Sequence, residues 1–84
     1  MDMQQLKDQH TLGVLRLRRS CMRLLTAAEI DGRKGDARKM ATQLRRVEKM
    51  IAQYGIETYA AQHGLELEPF DEKEIEIARA SITG

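Results

Sequence analysis

Between Asp36 and Tyr54 the apolar residues fall at Ala37, Met40, Leu44, Val47, Ile51 and Tyr54, with gaps that alternate between three and four. That spacing predicts one amphipathic helix whose apolar seam centres between Leu44 and Val47. At about 100° per residue, the opposite side carries Arg38, Lys39, Thr42, Arg45, Arg46, Lys49 and Gln53. The stretch is therefore a helix with an apolar front and a basic back.

A longer helix is expected before it, from about Met3 to Ile30. Asp2 caps it, and Gln5 stands where a capping box needs its reciprocal partner. Gly13 costs about 1 kcal/mol relative to Ala within a helix and marks a kink, a close helix crossing or a later start near Val14. Val14, Leu15, Leu17, Cys21, Met22, Leu24, Leu25 and Ala28 cover roughly 180° of arc, wider than the stripe one partner helix covers. His10 extends this seam and reads as a core-edge histidine. Arg16, Arg19 and Arg23 lie on the far side, whereas Arg18 projects from within the apolar arc. Between the helices, Asp31-Gly32-Arg33-Lys34-Gly35 reads as a turn, with Gly32 in the left-handed position and Asp36 capping the second helix. So short a connection makes residues 3–54 an antiparallel αα-hairpin.

Gly55 ends the second helix, and Ile56–His63 reads as a short third one closed by Gly64. Leu65-Glu66-Leu67-Glu68 alternates before Pro69. Asp71 and Glu74 have capping-box spacing, and Phe70 with Ile75 fits a hydrophobic staple. A last helix over about 71–81 places Ile75, Ala78 and Ile82 on one face. The rival is a β-hairpin pairing LELE with EIEI, which would set Glu66 and Glu68 against Glu74 and Glu76. Like charges across strands are unfavourable, so the helix is preferred. The fold class expected is all-α: a long helical hairpin, a short third helix and a C-terminal helix, forming one domain over 1–84.

Length and charge sharpen this picture. In 84 residues folding buries only about 60% of the unfolded surface, so the core is thin. Chains of this size often gain stability by oligomerising or docking on a partner. Residues 1–54 carry 12 Lys+Arg against 6 Asp+Glu, whereas residues 55–84 carry 2 against 7. The split implies a basic binding surface, or a basic body neutralised by its own acidic tail. The single Cys excludes an internal disulfide and fits a reducing compartment. No apolar run is long enough for a membrane span, and the N-terminus lacks a signal-peptide pattern. Cytoplasmic residence is the expectation.

Candidate chemistry is sparse. His10, His63 and Cys21 are isolated in sequence, without the spacing of a metal site; Cys21 sits mid-seam and reads as a buried thiol, Met22 and Met40 as core filler. No nucleophile–base arrangement or phosphate-binding loop is present, so neither an enzyme nor a cofactor is expected. Ala60, Gly64 and Phe70 have roughly helix-turn-helix spacing, but the second helix would be acidic and repelled by phosphate. What remains is the basic face: Arg38, Lys39, Arg45, Arg46 and Lys49, extended by Arg16, Arg19 and Arg23. Glu48 is the only acid between Ala37 and Tyr54, whereas a solubilising face usually mixes signs. The face reads as a solvated or self-neutralised back, as a phosphate-binding surface, or as a dock for an acidic protein.

The leading functional expectation is a small non-enzymatic regulator that binds a larger protein or nucleoprotein, as an inhibitor or adaptor of a nucleic-acid-handling complex. The alternative is direct DNA or RNA binding through the hairpin's basic face. Surplus apolar surface on the first helix also suggests a homodimer through Val14, Leu15, Arg18, Met22 and Leu25, with Arg18 answered by Glu29 of a second copy or by the acidic tail.

Overall fold

A computed structural model describes residues 2–69 and 71–83, the last three by backbone alone. The chain forms α1 (Met3–Ile30), α2 (Lys34–Gln53), α3 (Ile56–Gln62) and α4 (Lys73–Thr83), with no strand among the described residues. The all-α architecture with its long hairpin is as the periodicity predicts. The molecule measures 43 × 25 × 20 Å, and α1 spans the long axis.

Asp2 caps α1: its carboxylate accepts from the Gln5 backbone N–H at 2.8 Å, while the Gln5 side chain accepts from the Asp2 N–H at 3.4 Å. At the other end Gly32 adopts φ +69°, and Arg33 N–H reaches back to the Ala28 carbonyl at 2.8 Å, the closure expected of a left-handed glycine. Because that one residue completes the turn, α2 starts at Lys34 and Asp36 is not its cap. Asp36 sits in the first turn instead, favoured there by the helix dipole and 3.6 Å from Arg33 Nε.

The core gathers Val14, Leu15 and Cys21 of α1, Val47 and Ile51 of α2, and Ile56 and Ala60 of α3. The α2 seam is deepest at Val47 and Ile51; Leu44 is half-buried against the cluster. Tyr54, expected to end the seam, is 68% exposed. The helix stops one residue before it, Gly55 turns the chain at φ +60°, and Ile56 takes the core position. Two further expectations on α1 fail. His10 is exposed: the first turns of α1 are covered by α3, through Gln4 and Asp8, and His10 lies on the opposite side of the helix. Met22 is 49% exposed rather than core filler.

The LELE alternation is real but unpaired: Leu65 and Leu67 pack on the core while Glu66 and Glu68 face solvent, giving an extended strap and no hairpin. The chain beyond it is helical. The capping box expected at Asp71 and Glu74 does not form. Asp71 Oδ1 accepts from Lys73 N–H at 3.0 Å, and the Glu74 carboxylate is drawn to Arg23 at 3.3 Å. The staple at Phe70 and the stripe position Ile82 lie outside the described residues and side chains.

The placement of α4 sets the character of the surface. It packs on α1, and among the described residues its backbone does not approach α2. Glu74 meets Arg23, and Arg79 Nη2 lies 2.6 Å from Asp31 Oδ1, so α4 runs parallel to α1. Asp31 holds the Arg79 guanidinium more firmly protonated than usual, by hydrogen bonding first and charge second. Ala78 is buried in this packing, and Ala27 on α1 has no exposed surface.

Candidate nucleic-acid interface

The eight cations singled out by sequence do not form one surface. Arg23 is half-buried beside α4, where it reaches Glu74 and accepts no role on an open face; its Nη2 also donates to Ser20 Oγ at 2.9 Å. Arg16 is exposed and Arg19 half-buried on α1. Arg38, Lys39, Arg45, Arg46 and Lys49 are all exposed on α2, which among the described helices packs on α1 and α3. One reading had the acidic tail neutralising the basic face; the tail lies on α1, where Glu74 pairs with Arg23 alone of the eight cations, and Arg79 pairs with Asp31.

Ion pairing divides the arginines sharply. Arg18 pairs with Glu57, Arg23 with Glu74, Arg33 with Asp36 and Arg79 with Asp31. Among the described residues no carboxylate lies within ion-pair distance of the five cations on the back of α2. They fall within about 120° of arc and over roughly 17 Å of helix. Thr42 lies in their midst, its hydroxyl donating to the Arg38 carbonyl at 3.0 Å, and so is already spoken for. An open depression follows the face, with Gly35 and Thr42 between Arg38 and the Lys39–Arg46 row, and with Gln43 and the apolar Met40 at its edge. Nothing on this face is a nucleophile or a metal ligand. What the arrangement offers is a row of fixed positive charges.

The expected dimer patch is placed differently. Val14 and Leu15 are buried in the chain's own core, and Leu25 is half-buried. Arg18 finds its carboxylate within the same chain, in Glu57 of the acidic 55–84 segment. Of the five candidates only Met22 is both apolar and exposed.

A second polar constellation was not foreseen. Gln4 and Asp8 on α1 meet Tyr59 and His63 on α3. Tyr59 Oη donates to Asp8 Oδ1 at 2.8 Å, and Gln4 Nε2 donates to Asp8 at 3.0 Å and to Tyr59 Oη at 2.8 Å. The Tyr59 and His63 rings stack at 4.2 Å, and Lys7 Nζ stands 4.6 Å from the Tyr59 ring centre. Each pair has i,i+4 spacing, the only signal in the sequence, and it does not say which pair meets which. Desolvation, then the Asp8 hydrogen bond and charge, raise the Tyr59 pKa above its usual value. That is the wrong direction for a tyrosinate nucleophile or base, and it makes the cluster a clamp between α3 and the first turns of α1.

A raised pKa in the folded state contributes stability that is present below about pH 10 and lost as pH climbs through the folded value. Tyr59→Phe is therefore expected to lose less thermal stability than the wild type between pH 9 and pH 11. Equal losses in the two proteins would remove the clamp from the account.

Among the described residues no group of three His, Cys, Asp or Glu side chains is placed to hold a metal ion, and no helix is long and apolar enough to cross a membrane. Comparison with protein-family models, with curated proteins and with solved structures finds no match to this chain.

Proposed function

We propose that this chain is a small non-enzymatic binding protein that regulates a larger, negatively charged partner by occupying its surface through the back of α2. The observation that carries this reading is that none of Arg38, Lys39, Arg45, Arg46 and Lys49 is ion-paired among the described residues, although Asp36 and Glu48 stand on the same helix, in a molecule whose ion pairs elsewhere tie helices together or cap them. Leaving five like charges within about 17 Å of one helix forgoes the i,i+4 pairs that would stabilise it, each worth about 0.2–0.5 kcal/mol. A face held that way favours a polyanion. Occupying a partner's charged surface is the action of an inhibitor or adaptor, and a nucleic-acid-handling complex offers such surfaces.

Retention on immobilised heparin tests the reading: the chain is expected to bind at low salt, and the Arg45→Glu/Arg46→Glu variant to pass through. Passage of the wild type through the same matrix would overturn it.

A further inference from the structure

Resting on that reading, we infer that the polyanion is duplex DNA, with the back of α2 seated along its major groove. The cations are not scattered over the face; they form rows. Arg38 and Arg45 are seven residues apart and make one rim. Lys39 and Arg46, also seven apart, make the other, rotated from the first by about 100°. Between the rims runs a third row, Gly35, Thr42 and Lys49. The middle row begins with the least bulky residue available, and the depression along Gly35 and Thr42 follows from it.

A helix about 10–12 Å across, with a cation row leaning out on each side, matches a groove about 12 Å wide with a phosphate strand on each side. Both rims then reach phosphate while the low middle row faces the groove floor. Gly35 presents no side chain there, and a methyl group built on it would meet nothing within 4 Å. The open side of α2 is unobstructed, since α4 lies on α1.

Three alternatives fit the face less well. A protein interface is usually anchored by Trp, Tyr or Arg side chains buried at its centre; here the arginines stand on the rims, and the middle row of Gly35, Thr42 and Lys49 supplies no such anchor. Single-stranded nucleic acid is held by stacking on aromatic rings. The exposed ring on α2's C-terminal boundary, Tyr54, lies about 120° away from the middle of the basic arc. RNA duplexes are distinguished by shape, because their major groove is deep and narrow and does not admit side chains.

Fluorescence anisotropy of a labelled random-sequence 20-base-pair DNA duplex, titrated with the full chain, tests the inference. Four rim contacts give a slope of log affinity against log salt of about −3.6, a loss on the order of 10²-fold between 50 and 200 mM NaCl. Arg45→Glu/Arg46→Glu removes one contact from each rim, so the slope is expected to fall to about −1.8 or shallower. The RNA duplex of the same sequence is expected to bind at least tenfold more weakly. A wild-type slope shallower than −1, or RNA binding as tight as DNA, overturns the inference. Heparin retention that depends on Arg45 and Arg46, without DNA binding at 50 mM NaCl, overturns the DNA assignment and leaves the proposed function standing. Loss of both overturns the two together.

Discussion

Ile51→Ala is expected to destabilise the fold by about 2–5 kcal/mol, the range for truncating a buried branched side chain whose site relaxes only in part. Ile51 is 4% exposed and joins all three helices of the core: it sits on α2, against the Val14–Leu15–Cys21 side of α1 and the Ile56–Ala60 side of α3. The whole fold is worth roughly 4–13 kcal/mol at the usual stability per residue, so this single change removes a large part of it. Leu44, half-buried, is expected to cost less on truncation, although it lies nearer the centre of the sequence seam. Urea denaturation checks the first figure: the midpoint should fall with the slope unchanged. A loss below about 1 kcal/mol would show that the core is not organised around this contact.

The parts of the fold that were legible are those decided by neighbours in sequence. The Asp2–Gln5 box, the left-handed Gly32 and the three-four seam of α2 are local rules, and each appears where the pattern places it, except that the seam ends at Ile51 and leaves Tyr54 exposed. Even the tail follows, since a strand pair would have set Glu66 and Glu68 against Glu74 and Glu76, which the helix avoids. What was not legible depends on which helix lies beside which. The acidic tail had two basic surfaces to choose from, and its choice of α1 was settled by Arg23 meeting Glu74 and Asp31 meeting Arg79.

The same choice explains the candidate surface. Periodicity placed Arg38, Lys39, Arg45, Arg46 and Lys49 together on α2, and they are together. It also joined Arg16, Arg19 and Arg23 to them; the docking of α4 on α1 takes Arg23 out of that set, through Glu74. Arg18 and Glu57 were both visible, but their meeting requires the turn at Gly55 that brings α3 back towards α1. The Tyr59–Asp8 clamp is hidden for the same reason.

Charge reversal at Arg45 and Arg46 bears most directly on the claim that the back of α2 is the working surface. Both side chains are exposed and belong to none of the ion pairs that hold α4, α3 or the interhelical turn in place. Surface substitutions of that kind usually change stability by no more than about 0.5 kcal/mol. On the partner side the effect is far larger. Each cation lost removes about 0.9 from the salt exponent, and each glutamate added repels the polyanion besides. Together they weaken binding by on the order of 10²-fold at moderate salt. The measurement is therefore salt-gradient elution of wild type and Arg45→Glu/Arg46→Glu from heparin, with a thermal melt of each. The expected result is retention of the wild type, near-complete loss of retention in the variant, and superimposable melts. Equal retention of the two proteins, with equal melts, would contradict the account and leave the basic back of α2 a solvated surface.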